Sequence, residues 1–510
     1  MSNLVPLYII LPLATAFLIP IFGRFIKDFQ KTLLALVLLF LTVITIGFIF
    51  NGIKEPVTYQ VGGWEPVNGI PIAIYLVFDG LSALLLLVIN LIGVLAAFYS
   101  ISYIKRYTAE NNFYALLSLM IAGMNGVVLT GDMFNLYVFL EIAVISSYAL
   151  VAFGVERTEL EASFKYQILG GVASLLILFA IGLLYWQTKT LNIADISSII
   201  TNSGNNFFLV FTEILLICGF GLKAAMIPFH AWLPDAHSSA PSPISAMLSG
   251  VLIKAVGIYA ILRLFFNMFA ITYEISMIIT VIGTISMVVG VFLAIGQWDL
   301  KRLLAYHSIS QMGYVVIGIG MGMLILTQGG NKSIAALAIA GGLFHMVNHA
   351  VFKGLLFLNA GAVEYTTGTR NLKMMGGLSR SMPITSATSL GASLSISGIP
   401  PFNGFFSKLI IVIAAIKGGF YLLAVLAIVV SIVTLASFMK FQRYAFFNKK
   451  SFTRKIKEVP FSMSFSMIVL VILCLGLSLL AIPGIREVVL SPAVDVLMEA
   501  TNYSSAVLGM

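Results

Sequence analysis

"CGFGLKAAMIPFHAWLPDAHSSAP", residues 218–241, sets Lys223 in an apolar run and breaks that run at Pro228. His230, Asp235 and His237 follow within ten residues of the proline. An ammonium group at membrane depth costs about 2.5–3.5 kcal/mol even on the lenient insertion scale. Proline removes a backbone donor and frees a carbonyl, which at that depth is tolerated only against protein or a water-filled cavity. The stretch therefore reads as a functional interruption of a membrane helix.

The surrounding chain is a membrane protein by composition. Of 510 residues 60% are hydrophobic and only 10% are charged, against about 25% charged in a soluble domain. No mitochondrial-type presequence is visible, and no short signal peptide stands apart from the first span. Two cysteines, Cys218 and Cys474, exclude a disulfide framework or a cysteine-ligated cluster. Apolar segments of about 20 residues occur near 4–23, 32–51, 75–103, 113–131, 133–153, 163–187, 207–229, 241–263, 271–296, 303–324, 334–362, 384–417, 420–440 and 463–483. The predicted fold is an all-α polytopic membrane protein of about 14 transmembrane helices, with no soluble domain. Longer connections are expected at 52–74 (a small hairpin), 188–206, 363–383 and 441–462, and a mixed tail after Pro483.

Positive charge sets the orientation. Nineteen Lys and Arg lie in loops after odd-numbered spans, seven of them from Lys440 to Lys457. Only six lie on the other side: Lys54, Lys189, Arg263, Lys332, Lys417 and Arg486. The odd loops are thus expected in the cytoplasm of a prokaryotic cell, and both termini outside. The net charge of +9 is a topology signal, and no nucleic-acid partner is expected.

Four lysines fall inside spans: Lys223, Lys254, Lys353 and Lys408. Lys254 lies 13 residues after Pro241 and nine before Arg263. At about 1.5 Å per residue it is roughly 14–20 Å from either end, beyond the reach of a snorkelling lysine. Glu141 is similarly deep. Such groups face the bundle interior and serve ion or proton paths. Glu213, a turn or two into its helix, and Asp79, near the start of its own, fit an interfacial role as well as a transport role. Pro400 and Pro401 in "SGIPPFNGFFSKL" precede Lys408 as Pro228 follows Lys223. One broken helix with a lysine in each half points to repeated halves: spans 4–8 (113–264) and 9–13 (265–441), with 1–112 before them and 442–510 after.

"FHMVNHAVFK" places His345, His349 and Lys353 at successive i, i+4 positions on one helix face. Paired histidines at this spacing could bind a metal, but the zinc-protease glutamate is missing and no acid cluster completes a site. A file of proton carriers fits better, because histidine titrates near neutrality. No cofactor and no metal is expected in this chain.

These motifs carry a resemblance. "GLKAAMIPFHAWLPDAHSSAPSPISAMLSGVLIKAVGIYAILR", "DLKRLLAYHSISQMGYV", "GGLFHMVNHAVFKGLLFLNAG" and "GIPPFNGFFSKL" resemble the antiporter-like, proton-translocating subunits of respiratory complex I, Mrp-type sodium/proton antiporters and membrane-bound hydrogenases. The likeness runs from about residue 75 to 440, and the length fits the D-type Mrp subunit and its archaeal hydrogenase counterpart. It implies fourteen helices, two inverted five-helix repeats and broken seventh and twelfth helices. It assigns Glu141 as the key acid, Lys223 as its partner, Lys254 as the connecting lysine and Lys408 as the terminal one. His345 and His349 match the histidines joining the two half-channels, and His307 stands where many relatives carry serine. The resemblance also implies partners: other membrane subunits and, in redox versions, a hydrogenase-like arm. Protons are the expected cargo, with sodium as the alternative cation. A scaffold subunit without transport, a quinone- or haem-binding redox enzyme and an independent solute carrier are the competing readings.

Overall fold

The computed structural model describes residues 2–53, 55–64, 66–67, 71–203, 207–449 and 456–508. Lys54, Lys450, Arg454 and Lys455, counted in the charge asymmetry, lie outside the described residues. A backbone facing lipid must close its own hydrogen bonds, and almost every apolar segment is accordingly a helix.

Helices α1 (Leu7–Phe22) and α2 (Phe29–Phe50) pair on the flank of α3 (Gly80–Tyr103) and α4 (Glu110–Leu129). Between α2 and α3 a two-stranded antiparallel ribbon joins β1 (Val57–Gln60) to β2 (Tyr75–Phe78), with Val57 opposite Phe78. The third span therefore starts at Gly80 rather than at residue 75, because 75–78 is extended. Next come α5 (Met133–Val151), α6 (Arg157–Thr188) and the short α7 (Ile193–Ser203), which lies in the expected 188–206 connection.

Two expected spans are interrupted where the prolines fall. Segment 207–229 is α8 (Phe207–Lys223), which ends before Pro228; the chain resumes as α9 (Trp232–Ser239). Segment 384–417 is α16 (Pro383–Ser397) and α17 (Asn403–Lys417), separated by residues 398–402 with Pro400 and Pro401. Between these pairs run α10 (Ser242–Met247) and α11 (Tyr259–Asn267), joined through π-helical turns at Leu248–Leu252 and Lys254–Ile258 into one span. They are followed by α12 (Tyr273–Ile295), α13 (Leu300–Thr327), α14 (Lys332–Thr367) and the single turn α15 (Leu378–Ser381). After α17 come α18 (Tyr421–Gln442), α19 (Phe461–Gly476) and the tail helices α20 (Pro483–Val489), α21 (Ser491–Met498) and α22 (Ala500–Leu508).

Among the described residues, twelve helices are long and apolar enough to cross a membrane without interruption. Burial sorts them. The α10–α11 span, α13 and α14 are almost wholly enclosed, whereas α1, α2, α6, α18 and α19 turn most of their surface outward. The enclosed helices carry Lys254, His307, His345, His349 and Lys353, all without solvent exposure. The centre of this bundle is thus where its ionisable groups sit.

Candidate functional site

The first cluster is built by α5, α6 and α8. Lys223 is the last residue of α8, and Ala225 just beyond it adopts φ 54°, so the helix cannot continue. Its buried Nζ donates to Ser174 Oγ at 2.8 Å and lies 3.6 Å from Glu141 Oε1. Ser174 in turn donates to Glu141 Oε1, and its hydroxyl also lies 2.9 Å from the Gly170 carbonyl. The expected lysine–glutamate pair is therefore bridged by a hydroxyl. Lys223 is enclosed, but the Glu141 side chain is 24% accessible and opens on the flank of the bundle. The break beside it is held at both edges. Ile227 N donates to Ser286 Oγ at 3.0 Å, and Trp232 Nε1 donates to the Leu222 carbonyl at 3.0 Å. These bonds satisfy backbone groups that a broken helix leaves open.

Gly257 lets the next span close on this break: a Cβ there would lie 2.7 Å from the Ala224 Cβ. One turn earlier on the same span, Lys254 donates from Nζ to the Ser249 carbonyl at 2.7 Å. Lys353 on α14 donates to the Leu304 carbonyl of α13 at 2.5 Å. Neither lysine makes an ion pair among the described residues. His349 lies between Lys353 and His345 on the predicted face and is buried, with no hydrogen-bond partner at either ring nitrogen. His345 is held by Ser407 Oγ at Nδ1 (2.9 Å) and Gln311 Oε1 at Nε2 (3.2 Å).

Ser407 leads directly to Lys408. That lysine donates to the Ile396 carbonyl at 2.7 Å, which the end of α16 leaves available, and to Ser431 Oγ at 3.2 Å. Its Nζ also lies 4.8 Å from the centre of the Tyr314 ring, a favourable site for a cation. Gly398, at φ +73°, makes the turn over it. A cavity of about 300 Å³ lined by Gly398, Lys408, Ser431 and apolar side chains opens beside the ammonium.

The remaining candidates separate. Asp79 stands apart from this axis. It caps α3 through Ser82 and forms a two-point ion pair with Arg263, Oδ2 to Nη1 at 2.7 Å and Oδ1 to Nη2 at 2.9 Å. Arg263, grouped by sequence with the outer charges, is thus buried inside, where Asp79 neutralises it and the Tyr259 and Tyr503 rings flank it. Glu213 is enclosed rather than interfacial: the side chain is buried and Oε2 has no hydrogen-bond partner. His237 is buried against the Phe357 ring at 5.0 Å without a partner for either nitrogen. His307 bonds Ser437 Oγ at 2.8 Å, on the side of α13 that faces α18. His230 is half-buried in the break. Sequence reasoning missed the hydroxyl and amide partners Ser174, Ser407, Ser431 and Gln311. Only Gln311 had a signal, its place one turn after His307 on α13.

The family model described as NADH:quinone oxidoreductase/Mrp antiporter, TM, matches residues 130–434, well over half of the chain. This chain belongs to that family. A second model, the N-terminus of chain 5 of NADH-ubiquinone oxidoreductase (complex I), matches residues 64–114. The D-type Na(+)/H(+) antiporter subunit of Alkalihalophilus pseudofirmus is 33% identical over 460 residues, 89% of either chain. A chain of the Mrp complex from Dietzia sp. DQ12-45-1b superposes with a TM-score of 0.88 at 26% identity, covering 100% of this chain and 99% of that one. A chain of the membrane-bound sulfane sulfur reductase, an archaeal respiratory membrane complex, gives 0.86 at 29% identity over 99% of both. The resemblance and the membrane fold read from the motifs hold. The antiporter-family region, 130–434, contains Glu141, Ser174, Lys223, Lys254, His345, His349, Lys353 and Lys408, whereas Asp79 falls in the N-terminal region.

Proposed function

We propose that this chain is the proton-translocating, antiporter-like subunit of a multi-subunit membrane complex, either an Mrp-type sodium/proton antiporter or a membrane-bound respiratory complex. The single observation that carries this reading is the hydroxyl-bridged Glu141–Ser174–Lys223 cluster at the end of a broken helix. Three further lysines, Lys254, Lys353 and Lys408, are buried with no carboxylate partner among the described residues. At about 2.5–3.5 kcal/mol for each charged one, a scaffold would gain nothing by keeping them.

In the mechanism we favour, Lys223 is the proton acceptor and Glu141 sets its occupancy. Two unit charges at about 4 Å and an effective dielectric near 20 attract by roughly 4 kcal/mol, enough to change proton occupancy about a thousandfold when the carboxylate is neutralised or withdraws. Lys254, His349, His345 and Lys353 carry the proton through the enclosed helices, and Lys408 releases it beside its cavity. The breaks at Pro228 and Pro400–Pro401 admit water to the two end lysines. Protons fit the axis better than sodium, because lysine and histidine offer no cage of oxygen ligands. We further infer fourteen crossings in two inverted repeats, other membrane subunits as partners, and a prokaryotic plasma-membrane location.

Replacing Lys223 by Ala, and separately Glu141 by Ala, in the native complex tests the core claim. Proton transport by an assembled complex should be abolished; full transport by either assembled variant would refute the assignment.

A further inference from the structure

The two central lysines are separated by a pair of uncharged serines, each inside one of the quoted motifs. Ser249, on the π-helical turn between α10 and α11, and Ser308, on α13, share a hydrogen bond of 2.7 Å between their hydroxyl oxygens. Both hydroxyls are fully buried, and either can be the donor. Each serine is tied to one lysine through a backbone carbonyl. Lys254 Nζ donates to the carbonyl of Ser249 itself at 2.7 Å. On the other side, Lys353 Nζ (2.5 Å) and Ser308 Oγ (3.1 Å) both donate to the Leu304 carbonyl. Two donors on one acceptor lie no farther apart than the sum of their bonds, 2.5 Å and 3.1 Å, so Lys353 Nζ and Ser308 Oγ are neighbours.

We propose that Ser249 and Ser308 form the proton bridge between Lys353 and Lys254, an inference that rests on the proton-carrying role assigned to the axis above. The carbonyls of Leu304 and Ser249 hold the ammonium groups but cannot pass a proton on, since a carbonyl oxygen only accepts. The hydroxyls can do both. For transfer from Lys254 to Lys353, the direction of the path above, Lys254 gives one proton to Ser249 Oγ, the Ser249 hydroxyl proton moves to Ser308 Oγ, and the Ser308 hydroxyl proton moves to the neutral amine of Lys353. Lys254 ends neutral, Lys353 ends as ammonium, and both serines end as hydroxyls. The dyad is left turned the other way, with Ser308 no longer donating towards Lys353. Both hydroxyls must rotate before a second proton can follow, so the bridge passes protons singly.

The π-helical geometry suits this task. Turns of this kind recur at functional sites, and here one presents the Ser249 hydroxyl to α13 and its carbonyl to Lys254. The π stretch in α10–α11 thus has a chemical use.

The test compares Ser249→Ala, Ser308→Ala, Ser308→Thr and Lys223→Ala in the native complex, purified with its partner subunits and reconstituted into liposomes. Subunit content is checked first, and proton flux is then followed with an enclosed pH dye. A positioned proton-transfer group contributes about 10²–10⁴-fold, and water filling the vacated volume returns part of that. Each alanine variant should therefore lose at least about tenfold in flux with its subunits intact, while Ser308→Thr, which keeps a hydroxyl, stays within about twofold of the parent. Full flux in both alanine variants, with Lys223→Ala inactive, overturns the bridge and leaves the proposed function standing. Full flux in Lys223→Ala overturns the proposed function itself. Loss of assembly in the alanine variants sends the decision to Ser308→Thr and to Ser308→Cys. There the thiol, a weak hydrogen-bonding group, should slow an assembled complex, and unchanged flux in Ser308→Cys counts against the bridge.

Discussion

At the scale of single residues, the chemistry of the first cluster turns on a group without charge. Ser174 stands between Lys223 and Glu141, and the direct ion pair is the longer contact, 3.6 Å against 2.8 Å from lysine to hydroxyl. Its single proton can go to Glu141 or turn to the Gly170 carbonyl, so its orientation reports the state of the carboxylate to the lysine. A hydrogen bond to a charged group is worth about 1.5–3 kcal/mol. Ser174→Ala is therefore expected to slow transport about 10- to 100-fold at about 1.4 kcal/mol per decade, and Ser174→Thr to restore most of it. Proton flux by the assembled complex is the readout, and a Ser174→Ala variant at parental speed would remove the hydroxyl from the mechanism. Asp79 shows the opposite case. A buried acid near a helix start resembles a transport group in sequence, but its oxygens are committed to Arg263 and to the α3 cap. The distinguishing partner is 184 residues away, which no local pattern displays.

At the scale of elements, the broken α8–α9 pair is fixed at its far end and interrupted in the middle. Asp235 on α9 pairs with Arg302 at 2.5 Å and Lys165 at 3.3 Å, while Arg370 donates to the Ser238 carbonyl. Lys301 donates to the Ala240 carbonyl at 3.0 Å and pairs with Glu364 at 3.0 Å. Cations on the last carbonyls of a helix complement its dipole and satisfy open acceptors. So α9 is tied to α13 through Arg302 and to α6 through Lys165, and α8 packs on α6 as well. The strength of the clamp is uneven. The Arg302–Asp235 pair is partly exposed, and such pairs contribute about 0–1 kcal/mol, but Lys301 is 2% exposed and also holds the Ala240 carbonyl, and leaving a buried acceptor unsatisfied costs about 1–3 kcal/mol. Lys301→Ala should therefore lower the unfolding temperature of the detergent-solubilised complex markedly and Arg302→Ala only slightly; equal shifts would contradict this ranking. The elements themselves were legible because a bilayer demands long apolar helices and because Pro228, Pro400 and Pro401 mark the interruptions in the sequence. The hydroxyl partners were not legible. Serine is common in this chain, and Ser174, Ser308 and Ser407 differ from the others only in what α5, α8 and α14 bring to them.

At the scale of the whole molecule, the charge asymmetry of the loops makes a claim about orientation that the packing of helices alone does not address. Nineteen cations fall on one side of the predicted spans and six on the other, but Arg263 belongs to neither side, since it is buried with Asp79. Taking it out widens the bias, and the positive-inside tendency then places Lys417 outside and Asn448 in the cytoplasm. These two residues flank α18, are both exposed, and are joined through a helix long and apolar enough to cross a membrane. If α18 crosses, they lie on opposite faces whichever way the protein inserts. Single-cysteine variants Lys417→Cys and Asn448→Cys in a background with Cys218 and Cys474 replaced by alanine make the orientation measurable. With a membrane-impermeant maleimide on intact cells, Lys417→Cys should label at once and Asn448→Cys only after permeabilisation. Reversed labelling would put Lys417 in the cytoplasm and Asn448 outside, against the charge bias of the loops. Labelling of both positions in intact cells would mean that α18 does not cross the membrane, and the inferred fourteen crossings would fall with it.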